Sequence, residues 1–384
     1  GSGTKGTPAS WSRRSQRSST QPLRTPATRP RLNPASNNQR SMSTPQSLAN
    51  AKGERLAISL GDPAGIGGEV VLKALAAWPQ QASPPLLVGC RRWLERCYAQ
   101  LRPLSSTPLA DPANLELIDL PLPEAIEPGQ AGAASGAASF LWLSEAVAQV
   151  QAGRCNALVT APIAKHAWHA AGHCYPGQTE RLAELAGVAQ ASMLFTARSP
   201  HSGWRLNTLL ATTHIPLAAV PAALTAERLQ HKLDVLASFC HRFRPRPKLV
   251  VAGLNPHAGE AGQLGRDELD TLIPALETWQ QRNPQVELVG PLPPDTCWLE
   301  AGRAWRGVAE LADEAAADGY LALYHDQGLI PVKLLAFDQA VNTSLGLPFL
   351  RTSPDHGTGF AIAGQGIARA ESMQAAITAA QDLS

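Results

Sequence analysis

Three histidines stand out by position. His214, His257 and His325 each close a short apolar run, Leu206 to His214, Lys248 to His257 and Tyr320 to His325, whereas His166, His169, His173, His201, His231 and His241 lie in polar or helical surroundings. In an open parallel α/β sheet the ligand crevice forms at the carboxyl ends of the strands, so three such ends could bring three imidazoles to one divalent ion. Imidazole suits Zn, Co, Ni or Fe on softness grounds. The acidic neighbours Glu260, Asp295 and Asp326 could orient the rings, complete an oxygen-rich shell for Mg or Mn, or move protons. A single histidine in such a place is more often structural; the repetition at three run ends carries the metal reading.

Downstream of His325 come Lys333, Asn342 and Arg351, two cations and an amide set between apolar runs. They suit a phosphorylated or carboxylate ligand, with ordinary surface charge as the plain alternative. Gly177-Gln178-Thr179-Glu180 reads equally as a ligand loop or as a helix start with Thr179 as N-cap. Gly61-Asp62-Pro63-Ala64-Gly65-Ile66-Gly67-Gly68-Glu69 follows a strand and opens a helix, where free N–H groups can meet an anion. It has neither the GxGxxG order of a dinucleotide fingerprint nor the GK[ST] ending of a P-loop, so a simple strand-to-helix turn explains it as well.

The elements that must position these residues are legible from Arg55 onward. Strand-like runs at Leu56–Leu60, Leu86–Gly89, Leu115–Leu120, Ala157–Ala161, Met193–Thr196 and Glu287–Val289, together with the three histidine-ended runs, alternate with helical patterns such as Glu69–Ala77, Arg92–Leu101, Ala137–Val150 and Glu371–Ala380. That alternation predicts a largely parallel sheet with helices on both faces.

Residues 1–52 differ from all this. They are rich in Ser, Pro, Thr and Arg without apolar periodicity, a composition that predicts disorder, and the acid-free Arg/Ser bias also matches an organellar transit peptide. Eight of the chain's 33 basic residues lie in the first 50, leaving 25 against 31 acids in the remainder, about −6, which is no footprint for nucleic acid. The six scattered cysteines suggest neither a zinc knuckle nor a disulfide framework, and no apolar run approaches the roughly 20 residues that cross a bilayer. The expectation is a cytoplasmic protein, or an organellar one if residues 1–41 act as an address.

Seven segments, GDPAGIG (61–67), LVTAPIAK (158–165), LATTHIPL (210–217), GLNPHAGE (253–260), GPLPPDT (290–296), YHDQGLIPVK (324–333) and VNTSLGLPFLRTSPDHGT (341–358), together resemble the 4-hydroxythreonine-4-phosphate dehydrogenase family of pyridoxal phosphate biosynthesis. The resemblance spans about Leu56 to the C-terminus. It implies an isocitrate/isopropylmalate-dehydrogenase-like fold, two-lobed and three-layered (α/β/α) with a mostly parallel sheet, over residues 53–384. It also implies a homodimer whose active site borrows residues across the interface, NAD as cofactor, and a divalent metal (Zn, Mg or Co). The family's metal triad falls on His214, His257 and His325; its substrate-contacting positions fall on Gln178, Thr179, Lys333, Asn342 and Arg351. Asn342 and the loop Asp355-His356-Gly357-Thr358 are expected near the nucleotide, and Lys165, Asp295 and Asp326 are candidates for proton transfer.

Two positions depart from the family pattern. Gln178 stands where histidine is usual, which removes a possible cation and proton shuttle, and Gly68 stands where proline is usual. The implied reaction is NAD-dependent oxidation and decarboxylation of 4-phosphohydroxythreonine to 3-amino-2-oxopropyl phosphate. The alternatives are a dehydrogenase of the same fold acting on a phosphorylated four-carbon sugar acid or a cis-diol acid, and a non-catalytic ligand-binding homologue.

Overall fold

Alternate residues of the histidine-ended strands face opposite ways, and both ways are buried. The computed structural model describes residues 55–79, 82–308 and 316–384, so the leader expected at 1–52 lies outside the described residues. The strands are β1 (Leu56–Ser59), β2 (Leu86–Gly89), β3 (Glu116–Asp119), β4 (Ala157–Thr160), β5 (Ser192–Arg198), β6 (Arg205–Leu210), β7 (Lys248–Ala252), β8 (Glu287–Leu292), β9 (Gly319–Ala322), β10 (Val341–Leu345) and β11 (Leu350–Pro354). Leu209, Leu249, Val251 and Leu321 join one core, which includes Leu229, Leu233 and Leu236 of the helix Ala226–Cys240. Leu206, Leu210, Val250, Ala252, Tyr320 and Ala322 join a second core with Leu329 and Val332 of the helix His325–Ala336. A strand's two-residue period sorts its side chains to two faces, and helices on both faces turn both sets into core.

All eleven strands form one sheet in the order β3-β2-β1-β4-β11-β10-β5-β6-β9-β7-β8. Strands β3, β2, β1, β4 and β11 run parallel, as do β6, β9, β7 and β8. Between these two blocks β10 is antiparallel to both β11 and β5, and β5 is antiparallel to β6. The two parallel blocks therefore point in opposite directions, and the junction is where the sheet changes sense. Within the second block β6, β9 and β7 are neighbours, so His214, His325 and His257 all leave the same edge of the sheet.

One glycine matters to that edge. A Cβ on Gly328 would lie 2.6 Å from Leu210 Cδ2 and 2.9 Å from the Ala322 Cβ, so only glycine lets the first turn of the helix His325–Ala336 settle on β6 and β9. Among the described residues no helix is long and apolar enough to cross a membrane, and all six cysteines are free.

Candidate active site

The junction of the two blocks carries a cleft of about 970 Å³. Its floor is the sheet face of the central antiparallel strands. The register sets Asn342 opposite Ser353 and Ser344 opposite both Arg351 and Met193, so these side chains share one face. Strand faces thus supply the floor, whereas the loops after β4 and β6 supply Lys165 and His214 on the walls. The crevice expected at strand carboxyl ends is only part of the arrangement, because the antiparallel insertion turns a sheet face toward the ligand side.

Arg351 is the most deeply set charge in this cleft, with 3% of its surface exposed. Its Nε and Nη2 donate to Thr160 Oγ1 at 3.0 and 2.7 Å, its Nη1 donates to Ser344 Oγ at 3.3 Å, and its Nη2 also donates to Gln178 Oε1 at 3.1 Å. Every partner is neutral. Burial pulls its pKa down to about 10, which leaves it cationic at neutral pH. A buried cation without a carboxylate is costly unless an anion joins it. Close by, the Asn342 Oδ1 and His356 Nε2 atoms are buried without a hydrogen-bond partner, polar atoms that a ligand can satisfy.

Lys333 Nζ pairs with Asp355 Oδ2 at 2.9 Å. It faces a second cavity of about 620 Å³, which shares Met193, His214, Asn342 and Asp355 with the first and adds His325, Asp326 and Lys333. The two cavities therefore meet at His214 and Asn342.

His214 and His325 have ring centres 5.5 Å apart. Two imidazoles bound to one tetrahedral ion at about 2.0–2.1 Å would have ring centres roughly 5 Å apart, so this pair fits a shared divalent ion. Their chemistry fits as well. Burial, then the positive charges of Lys165 and His325, hold the His214 pKa below the ordinary imidazole value, which favours the neutral, ligating form. Asp326 Oδ1 lies 2.7 Å from His325 Nδ1, the carboxylate–imidazole contact that fixes a ligating ring through its other nitrogen.

His257 is exposed, and no ring contact joins it to the other two. Among the described residues no group of three or more His, Cys, Asp or Glu side chains is arranged to hold a metal ion. The loop that carries His257 is strained: His257, Ala258, Gly259, Glu260 and Ala261 all have positive φ, at 53°, 51°, 80°, 42° and 53°. Left-handed backbone costs a non-glycine residue about 1–2 kcal/mol, so something must hold it. The buried Glu268 does so. Its Oε1 accepts from the backbone N–H groups of Leu254 and Asn255 at 2.8 Å each, and its Oε2 accepts from Asn255 Nδ2 at 2.9 Å.

The remaining expected residues divide. Lys165, Gln178, Thr179, His356 and Gly357 line the 970 Å³ cleft. The helix over 178–186 starts at Gln178 with Gly177 as N-cap, so Thr179 lies in its first turn rather than capping it. Thr358 turns away, its carbonyl accepting from Ile66 N at 2.9 Å. That contact absorbs the glycine-rich GDPAGIG turn: a Cβ on Gly65 would meet Thr358 O at 2.7 Å, and the turn lines neither cavity. Asp295 is exposed and lines neither cavity. Sequence reasoning alone does not single out Thr160 and Ser344, the hydroxyls that fix Arg351. The only sequence signal for them is their place inside LVTAPIAK and VNTSLGLP.

Comparison with known proteins gives one answer. The family model described as pyridoxal phosphate biosynthetic protein PdxA matches residues 81–380. A 4-hydroxythreonine-4-phosphate dehydrogenase of Synechococcus sp. (strain RCC307) is 67% identical over 86% of this chain and 99% of its own length. A D-threonate 4-phosphate dehydrogenase of Pectobacterium atrosepticum is 37% identical over 85% of the chain and 98% of its own. The crystal structure of 4-hydroxythreonine-4-phosphate dehydrogenase from Klebsiella pneumoniae superimposes with a TM-score of 0.73 at 37% identity, covering 87% of this chain and 99% of that one. Match and architecture agree with the α/β fold and mostly parallel sheet expected from the sequence, and the chain belongs to the pyridoxal phosphate biosynthetic PdxA family of 4-hydroxythreonine-4-phosphate dehydrogenases.

Proposed function

We propose that the chain catalyses NAD-dependent oxidation and decarboxylation of 4-phosphohydroxythreonine to 3-amino-2-oxopropyl phosphate. The observation that carries this reading is the pairing of an uncompensated buried guanidinium, Arg351, with two adjacent imidazoles, His214 and His325, in cavities that meet. One end suits a phosphate and the other suits a metal-bound alcohol. In this reading Arg351, Asn342 and Lys333 hold the phosphoryl group, with Lys333 exchanging Asp355 for the ligand.

A divalent ion (Zn, Mg or Co) held by His214, His325 and His257 would lower the pKa of the C3 hydroxyl and polarise the resulting ketone. NAD, when bound, would supply the hydride acceptor. Of the proton-transfer candidates Lys165 has the best claim, since it lines the cleft beside His214, whereas Asp326 is exposed and engaged by His325 and Asp295 lines neither cavity. As the cation beside His214, Lys165 would donate a proton to the substrate carbon once CO2 is lost, the hydroxyl proton released in the oxidation leaving to solvent.

The same reading makes the protein a homodimer. Ile330, Leu334 and Phe337, which are 59%, 81% and 68% exposed, form an apolar stripe at helical spacing beside His325. A second copy covering it would bury that stripe and could supply His257, which stands apart within one chain.

The test is an NADH absorbance assay with purified protein, NAD, divalent metal and 4-phosphohydroxythreonine; absence of turnover with every metal overturns the reading. A phosphorylated four-carbon sugar acid is the second candidate, favoured by the contact of Gln178 with Arg351, which removes Gln178 as an obvious reader of the substrate amine. D-Threonate 4-phosphate in the same assay separates the two.

A further inference from the structure

Gln178 is committed at both ends of its amide. Its Oε1 accepts from Arg351 Nη2 at 3.1 Å, and its Nε2 donates to the carbonyl of Ala161 at 3.4 Å. The backbone holding it is equally fixed, since Gln178 opens a helix whose N-cap is the buried Gly177. The acceptors around Arg351 are then two hydroxyls and one amide oxygen, from Thr160, Ser344 and Gln178. Among the described residues no carboxylate forms an ion pair with it. Glu180, two residues on in the same helix, lines the cleft but makes no contact with the guanidinium.

From this geometry we infer that Gln178 is a positioning residue for anion capture: it orients the Arg351 guanidinium through a neutral acceptor and so leaves its full charge for a dianionic oxyacid group. The inference deepens the proposed function and rests on that reading for the identity of the dianion as a phosphate monoester, but the anion site can be tested without turnover. A carboxylate at this position would form an internal ion pair of the kind that competes directly with a ligand. An apolar side chain of equal length would remove both hydrogen bonds of the amide and leave the Arg351 charge in place. The two substitutions therefore separate charge from packing.

The experiment is calorimetric titration of the full-length protein with sodium sulfate, a dianion that keeps its charge through the neutral range, comparing wild type with Gln178→Glu and Gln178→Met. Thermal unfolding of each variant verifies that it is folded. Sulfate binding should weaken by about tenfold or more in Gln178→Glu, the loss expected when a buried cation gains an internal counter-ion, and by no more than roughly threefold in Gln178→Met. Equal weakening in both variants, no weakening in Gln178→Glu, or no sulfate binding by the wild type each overturns the inference. In the NADH assay the same charge effect should fall mainly on KM, with kcat changing less. If the wild type shows no turnover while the sulfate series follows the expected order, the proposed reaction falls and the anion site stands.

Discussion

The two ends of the site are built in opposite ways. Arg351 lies in the floor of the sheet, between strands that pair on both sides, with all its partners supplied by the same chain. His257 lies on an exposed loop whose left-handed backbone is clamped by Glu268, and its ring meets neither of the other two histidines. One end is pre-organised; the other brings together only two of the three expected imidazoles. Pre-organisation favours the anion end as the source of binding energy, whereas the proposed metal end would need the exposed loop to meet a partner surface for its third ligand.

Breaking the rigid end should cost most. Arg351→Met removes the buried cation and strands the Thr160 and Ser344 hydroxyls; a loss of about 3–5 kcal/mol in transition-state binding would lower kcat/KM by roughly 10²–10⁴-fold. Steady-state NADH kinetics measures it, and a loss below tenfold would mean that the phosphate is held elsewhere.

At the other end, Glu268→Ala leaves the N–H groups of Leu254 and Asn255 without their acceptor and should cost about 1–3 kcal/mol of stability by denaturant unfolding. Metal affinity should fall by roughly 10–100-fold, because the His257 loop is no longer held in its left-handed turn. Stability loss without a change in metal affinity would separate the loop from the metal site.

The pH dependence of the metal end has a definite sign. The folded-state pKa of His214 is depressed, so the unfolded chain binds the extra proton first as pH falls. Its contribution to stability is therefore complete above the ordinary imidazole value, near 6.5, and is lost as pH drops from there toward the folded pKa. Metal binding should weaken over the same range, since proton and metal compete for one lone pair. His214→Gln should flatten the acid side of the stability profile, and an unchanged slope would contradict the assignment. The smallest effect belongs to Lys333→Met. Its pair with Asp355 is partly exposed and contributes about 0–1 kcal/mol to stability, so the change should appear chiefly in KM, by roughly tenfold.

How much of this was legible in the sequence follows the same division. The inner strands of the parallel blocks are readable because they are buried on both faces and appear as short apolar runs: the run Leu86–Gly89 coincides with β2, and Leu56–Leu60 and Ala157–Ala161 match β1 and β4 to within one residue. Strands β10 and β11 do not show as strands in the sequence. Their outward face carries Asn342, Ser344, Arg351 and Ser353, polar residues that serve the cleft, so neither a continuous apolar run nor a simple amphipathic strand appears. The polarity that hid these strands is the feature that makes them a binding floor.

The histidines show what sequence adjacency leaves out. His214 and His325 are recognisable because each ends an apolar run; the structure pairs β6 and β9 in parallel, and the two rings approach each other. The separation of His257 came from the conformation of residues 257–261, four of which are not glycine and give no signal of positive φ. Asp295 was attractive only as an acid in a recurrent motif, and the fold leaves it on the surface.

The central claim, that His214 and His325 act together on one divalent ion, is tested most directly by Co(II) titration of metal-free protein, followed by its visible ligand-field absorption. The wild type should take up one Co(II) per chain with a nitrogen-rich spectrum, and His214→Ala and His325→Ala should each lose both the spectrum and the tight uptake. Equal, spectrally unchanged Co(II) binding by either variant would contradict the shared site.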